Sequence, residues 1–348
     1  MLNFSHRHVC RLVATLGLLG SIVLTPANAD DTKIIPHVEL GNGPVPWTSL
    51  EALDAEADFH FVVITDRTGG ERKGPWADAM DKINLMRPAF VVSVGDLIQG
   101  GTEDKEQLDF EWDELTGLVE VLKPPFFYVA GNHDYSNVVM ADEWAERFGP
   151  SYYAFRYKDT LFVTLNSSLF GTSDAQPDEW IAAHEAQAQW FADTLAENEG
   201  VRWTYVFLHH PFWREFWWRR VYGENWEGAG YDPESRYGGG TESWKAVEEL
   251  LNTRDYTVFA GHTHTYEYEV DEDSEHVHER ISLATTGGGS TIREGDSNDR
   301  ATVLRGPQFA EFDHFVWVTM TEDGPVIANM LLDGILDKDF DHAFKGSP

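Results

Sequence analysis

Five short stretches of this chain place acids, an amide and imidazoles directly behind runs that read as strands. Phe59–Thr65 (FHFVVIT) leads into Asp66, and Phe90–Val94 leads into Gly95-Asp96. Phe126–Ala130 leads into Gly131-Asn132-His133-Asp134, Trp203–Leu208 into His209-His210-Pro211, and Tyr256–Ala260 into Gly261-His262-Thr263-His264. Carboxylates, an amide oxygen and imidazoles without a thiolate form a donor set suited to Zn²⁺, Mn²⁺ or Fe. One shared carboxylate can hold two such ions roughly 3.5–4 Å apart, the spacing of two-metal hydrolytic sites. A lone histidine is more often a packing residue than a ligand, and Gly-Asp or His-His-Pro alone is common. What carries weight is the recurrence of five such elements, each at the end of a strand.

That recurrence matters because ligands of open α/β sheets bind beyond the carboxyl ends of the strands. Helices are predicted between the strands, over Pro75–Met86, Asp104–Leu122, Met140–Phe148, Pro177–Glu197 and Glu242–Asn252, with a hairpin pairing Tyr152–Tyr157 with Leu161–Asn166. Alternating strands and helices predict an α/β fold with a largely parallel, helix-covered sheet. After His264 the pattern turns to strands alone, over Ile281–Thr285, His314–Met320 and Val326–Leu332. These late strands predict a second sheet packed on the first. The expected organisation is a leader over residues 1–29, an extended segment over 30–58, and one composite domain over 59–348.

The leader is basic at its start (His6, Arg7, His8, Arg11) and apolar from Leu12 to Leu24, and it ends in Ala27-Asn28-Ala29. It reads as a secretory signal cut near Ala29, since the apolar run is too short to span a bilayer. The expectation is a secreted or periplasmic protein without a stable membrane anchor. The single cysteine, Cys10, lies inside this leader, so the mature chain has no disulfide and no thiolate chemistry. Over 348 residues the formal net charge is −33. Such a surface repels a nucleic-acid polymer and favours a small-molecule partner, while leaving the oligomeric state open.

The ordered segments resemble the calcineurin-like metallophosphoesterase family, whose motifs run Asp-x-His, Gly-Asp, Gly-Asn-His-Asp/Glu, His and Gly-His-x-His. The resemblance implies a four-layer αββα sandwich of the metallo-dependent phosphatase type, with its metal site at the strand carboxyl ends. It implies that Asp96 bridges two ions, that Asp66 and His264 hold the first, and that Asn132, His209 and His262 hold the second. The ions would be Mn, Fe or Zn. His133 would be the general acid, with Asp134 orienting its ring. The implied reaction is hydrolysis of phosphate mono- or diesters by a hydroxide between the metals. Two positions depart from the pattern: Thr68 stands where the first motif has histidine, and Gln99 where some members have tyrosine. The first metal is therefore expected to bind more loosely, with water or the Thr68 hydroxyl filling the gap.

Cations are scarce, which makes their placement informative. Arg67 directly follows Asp66 and is a candidate clamp on a phosphate oxygen. Its alternative is an arginine paired with acidic neighbours. An insertion at about 212–240 is dense in aromatic and arginine residues. Its Trp213 and Arg214, with His210, are candidate substrate contacts that suit an aromatic leaving group. The competing expectation is a loop that buries its own tryptophans. Asn166-Ser167-Ser168 is a glycosylation sequon, and the acidic run Asp271–Glu275 reads as a solvated hairpin tip. The reading of a different class is an exported metal- or phosphate-binding protein that has lost catalysis at the weakened first site.

Overall fold

The computed structural model describes residues 33–37, 43–52, 58–170, 178–213, 236–289, 303–306, 309–332 and 334–337. The leader, Arg214 and most of the 212–240 insertion lie outside the described residues. In chain order the early elements are β1 (Ile35–Pro36), β2 (Phe59–Ile64), α1 (Pro75–Met86), β3 (Phe90–Ser93), α2 (Lys105–Val119), β4 (Phe126–Phe127) and α3 (Val138–Phe148). Then come β5 (Tyr153–Tyr157), β6 (Thr160–Thr164), α4 (Asp178–Glu197), β7 (Trp203–Phe207), α5 (Arg236–Leu251) and β8 (Tyr256–Ala260). The chain closes with β9 (Tyr266–Val270), β10 (His278–Ser282), β11 (Val303–Gly306), β12 (Phe309–Glu311), β13 (His314–Thr321), β14 (Gly324–Leu331) and β15 (Gly334–Asp337).

The strands form two mixed sheets. One runs β15-β14-β13-β2-β3-β4, the other β1-β5-β6-β7-β8-β10-β9-β12-β11. β2, β3 and β4 are parallel neighbours, as are β6, β7 and β8. The late hairpin β13–β14 does not build a second sheet of its own. It adds to the first sheet through an antiparallel pairing of β13 with β2 (Val316 opposite Val63), so the chain's beginning and end share one layer. The charged alternation of Tyr266–Val270 (YEYEV) hid β9, which is buried only at its start.

Side-chain alternation explains the layers. Along β2, Phe59, Phe61 and Val63 enter the cluster between the sheets, while Val62 and Ile64 meet α1, α2 and α3. Along β7, Trp203, Tyr205 and Phe207 face inward, while Val206 joins the residues under α4 and α5. Each strand therefore buries both faces, which is why the sequence shows continuous apolar runs. Aromatic rings fill the inter-sheet layer: Phe61 meets Phe162 at 5.3 Å and Tyr205 at 4.8 Å, both edge to face. The helices start on local signals. Pro75 opens α1, Asp104 caps α2 by accepting from the amides of Glu106 and Gln107, and Asn137 caps α3. The result is helices, sheet, sheet, helices, the four-layer sandwich anticipated from the resemblance.

Candidate metal centre

The carboxyl ends of β2, β3, β4, β7 and β8 meet at one edge of the sandwich. The ligand atoms of Asp66, Asp96 and His264 lie within 4.8 Å of one another, and so do those of His209, His210 and His262. His209 Nε2 is 3.1 Å from Asp96 Oδ1, and His264 Nε2 is 3.1 Å from Asp66 Oδ1. His133 Nε2 stands 4.0 Å from Asp96 Oδ2. Among the described residues, Asn132 contributes an Oδ1 that is buried without a hydrogen-bond partner, and His209 a buried Nε2 that meets only the Asp96 carboxylate. The orphaned lone pairs of Asn132 are costly unless something electrophilic takes them. The donor set therefore suits divalent metal ions.

Backbone conformation is unusual here. Asp66 (φ 46°), Asp96 (φ 56°), His262 (φ 69°) and His264 (φ 52°) all adopt the left-handed region, which costs of order 1–3 kcal/mol per non-glycine residue. Among the described residues only Arg87 and Lys158 share it. The strained positions are thus concentrated on the candidate ligands. Gly95 (φ 95°) makes room for them: a Cβ there would come within 2.6 Å of the Gly131 nitrogen and 2.8 Å of His209 Nδ1.

Ring orientation is set from behind. His209 Nδ1 donates to the Val94 carbonyl at 2.8 Å, His264 Nδ1 to the Gly289 carbonyl at 2.5 Å, and His133 Nδ1 to the Gln99 carbonyl at 2.6 Å. A carbonyl only accepts, so each ring keeps a proton on Nδ1 and turns Nε2 to the site, where its lone pair serves a metal once any second proton has left. The partner of His264 belongs to a glycine loop, Gly287-Gly288-Gly289, that wraps the first motif. Gly288 donates to the Asp66 carbonyl (2.8 Å) and Gly289 to the Gly69 carbonyl (3.1 Å). Arg72 pins this loop, donating to the Gly288 carbonyl and forking onto Asp313. The sequence signal was available as Thr-Thr-Gly-Gly-Gly just after a predicted strand, but its partner was not.

Electrostatics follow from the crowding of charge. Burial works against a charged His209, yet Asp96 outweighs it and pushes the ring up to about 9. Burial would raise Asp96, but His209 above all, then His133 and His262, holds it well below the usual carboxylate range. Burial and the neighbouring His209 press His262 down to about 3, keeping it neutral. His264 is raised, Asp66 prevailing over burial.

Three expected roles change in the structure. Asp134 does not orient His133, whose ring is held by Gln99. Its carboxylate instead accepts from the amides of Leu97 (2.8 Å), Ile98 (3.1 Å) and Gly131 (2.8 Å), bracing two motif loops against each other. Burial and Asp96 push it up to about 6 against the pull of those amides. Arg67 is not free to clamp a phosphate. It is 2% exposed, and its guanidinium donates to the Leu97 carbonyl (3.1 Å), to Glu71 (3.0 Å) and to Glu114. Trp213 packs on Trp244 of α5, ring centroids 5.0 Å apart, within the cluster under the helices. His210, by contrast, stands with its ring 4.5 Å from that of His262. Asn166 of the sequon is fully buried and accepts from the Ser168 amide, so the tripeptide is internal scaffolding in the folded chain.

A model of the calcineurin-like phosphoesterase family matches residues 56–266. The chain belongs to this family. Among solved structures it is similar to the inner-membrane-complex anchor GAP50 of Plasmodium, at 15% identity and TM-score 0.52, covering 82% of this chain and 91% of that one. It is also similar to a dimetal phosphatase from Danio rerio, at 15% identity and TM-score 0.51, covering 80% of this chain and 98% of that one. At such identities the likeness concerns the fold. No curated protein matches the chain. Within the family pattern, its two departures touch each other: the Thr68 hydroxyl donates to Gln99 Oε1 at 2.7 Å. Thr68 is fully buried, so the place of the usual first-motif imidazole is taken by a hydroxyl whose proton is already committed.

Proposed function

We propose that this calcineurin-like phosphoesterase is an exported hydrolase of small phosphate mono- or diesters that works with two metal ions. The observation that carries it is the buried, partnerless Asn132 Oδ1 beside the Asp96–His209 pair, within a shell of hydrogen bonds that orient the imidazoles from behind. Asp66 and His264 would hold one ion, Asn132, His209 and His262 the other, with Asp96 shared. When bound, such ions supply Lewis-acid stabilisation of phosphoryl charge and activation of water. His133 is placed to manage the leaving group. With Nδ1 fixed on Gln99, its Nε2 is the atom turned to the departing oxygen, and the doubly protonated ring is the form that gives a proton there, a contribution of about 10²–10⁴-fold. Asp134 and Arg67 keep the loops that carry Asp96 and His133 in register. The anionic surface leaves attraction of the substrate to the centre itself, which disfavours a polymeric nucleic acid.

One observation supports the second reading, a binding protein that has lost catalysis. Thr68 supplies no imidazole, and one fold neighbour carries the name of an anchor while another carries that of a phosphatase. A single assay separates them. The full chain is stripped with chelator and titrated with Mn²⁺, Zn²⁺ and Fe²⁺ on a chromogenic monoester and a diester. Turnover restored by metal and abolished in Asp96→Ala and His133→Ala is the expected result. Metal binding with no turnover above Asp96→Ala on either ester moves the binding protein to the front.

A further inference from the structure

Ser167 opens a short 3₁₀ turn, Ser167–Leu169, behind the His209-His210 pair, and it is fully buried. Its hydroxyl oxygen meets three nitrogens: the amide of His209 at 3.1 Å, the amide of His210 at 2.9 Å, and His210 Nδ1 at 2.9 Å. The two amides can only donate, and together they use both lone pairs of the oxygen. The hydroxyl's own hydrogen is buried with them and, among the described residues, has one acceptor within reach, His210 Nδ1. A buried hydroxyl left without an acceptor is costly, so the hydrogen goes there. His210 therefore accepts at Nδ1 and, when neutral, carries its proton on Nε2. This is the opposite of His209, His264 and His133, each of which faces a carbonyl through Nδ1.

We infer that Ser167 sets His210 as an N–H donor to the phosphoryl group of the substrate, and that His210 is not a metal ligand although its ring adjoins His209 and His262. Its position suits a donor, with the ring 5.0 Å from that of His209 and 4.5 Å from that of His262, at the second-metal side of the centre. A metal ligand needs a lone pair at the atom it offers, and the tautomer selected by Ser167 puts a hydrogen there. A phosphoryl oxygen needs donors, and the two arginines described beside the first motif are already engaged. Arg67 is consumed by Leu97, Glu71 and Glu114, and Arg72 by Gly288 and Asp313. An imidazole N–H supplies a donor without adding a buried charge beside the metals. Ser167 is thus a positioning residue: its one oxygen ties the backbone of the histidine pair and splits the two rings into ligand and donor.

The test uses the full chain labelled with ¹⁵N-histidine and loaded with Zn²⁺, whose diamagnetism preserves the signals. Long-range proton–nitrogen spectra read the tautomer of each ring, with H210Q identifying the His210 resonances. The expected result is a proton on Nε2 for His210 and on Nδ1 for His209, His264 and His133. In S167A the His210 preference is lost while that of His209 is kept, a change that mere loosening of the fold does not produce. A proton on His210 Nδ1 in the wild type overturns the inference. Zinc stoichiometry gives a second reading independent of substrate: H210Q and H210A bind as many ions as the wild type, and loss of one ion makes His210 a ligand and ends the proposal. The phosphate contact itself, which rests on the proposed function, is measured with inorganic phosphate by calorimetry. H210A binds it about tenfold or more weakly, the loss of one hydrogen bond to a charged group, and H210Q, whose amide keeps a donor, recovers most of it. Equal binding by all three proteins removes the donor role. If tautomer, zinc count and phosphate pattern hold while no ester is hydrolysed, the inference stands and the phosphoesterase reading falls.

Discussion

The two sheets contribute unlike chemistry to the centre they share. The ends of β2, β3 and β4 deliver Asp66, Asp96 and Asn132, which offer oxygens. The ends of β7 and β8 deliver His209, His262 and His264, which offer nitrogens. Each carboxylate lies against an imidazole of the other sheet, Asp96 with His209 and Asp66 with His264. Neither sheet alone supplies both the oxygens and the nitrogens of the candidate set, which come together only where the inter-sheet aromatic layer joins the two edges. The two sides are braced differently. On the oxygen side the Asp134 carboxylate ties the loops through three amides, whereas on the imidazole side the Val94 and Gly289 carbonyls hold rings from behind and the Ser167 hydroxyl meets three nitrogens of the histidine pair. Asp96 is where the two sides meet, and the comparison predicts what should fail first.

The largest effect is expected at that meeting point. Asp96→Ala removes the carboxylate proposed to serve both ions and leaves His209 without its counter-charge. Turnover of a phosphate ester should fall by on the order of 10³-fold or more, with metal content falling in parallel. Retention of a tenth of wild-type turnover by Asp96→Ala, with metal content intact, breaks the idea of a shared bridge.

The imidazole side should reveal itself through pH. In the metal-free chain Asp96 lifts His209 to about 9, above the ordinary histidine value near 6.5. The ring is therefore protonated at pH 7, and its Nε2 must release that proton before it can bind a metal. Apparent affinity for the ion at this subsite should rise about tenfold per pH unit up to about 9 and then level. Calorimetry in buffers of different ionisation heat should count about one proton released from this ring at pH 7. A pH-independent affinity between 7 and 9 contradicts the pairing of His209 with Asp96. The oxygen side should reveal itself in stability instead. Asp134→Asn replaces an acceptor by an NH₂ group facing a backbone N–H, so at least one amide loses its partner. The expected cost is about 1–3 kcal/mol in denaturant unfolding. An unchanged midpoint would mean that the brace is redundant.

Much of the candidate centre could be read from the chain because each candidate ligand lies just past an apolar run, and such runs announce strands. Asp66, Asp96, Asn132, His209, His262 and His264 all stand out in this way, while the four-layer sandwich comes from the family resemblance and only its α/β character from the alternation of strands and helices. What escaped was everything decided by partners distant in sequence. Asp134 adjoins His133 in the chain, but its carboxylate turns to amides 36 and 37 residues away. Gln99 looked like a missing tyrosine, yet it supplies the carbonyl behind His133 and the acceptor for Thr68. Ser167 looked like the middle of a sequon. The late strands looked like a separate sheet because antiparallel pairing of β13 with β2 leaves no mark in either segment. Side-chain type and order are local information, whereas hydrogen-bond partnership and sheet membership are not.

Arg67 gives the smallest effect and the finest discrimination between a residue that touches substrate and one that holds a wall in place. Its position after Asp66 suits a phosphate clamp, but its contacts suit a staple between the β3 loop and α2. Nη1 holds the carbonyl of Leu97, whose own amide donates to Asp134, and Nη2 reaches Glu114 on α2. Lysine keeps the charge and loses the fork. For a clamp, Arg67→Lys raises KM tenfold or more and leaves the unfolding midpoint alone. For a staple, KM stays within about twofold while stability drops by about 1 kcal/mol, the worth of a hydrogen bond lost in a buried network. The contacts predict the second outcome. A raised KM at unchanged stability would return Arg67 to the substrate and leave the oxygen side of the centre with a weaker frame than Asp134 and Arg67 together give it.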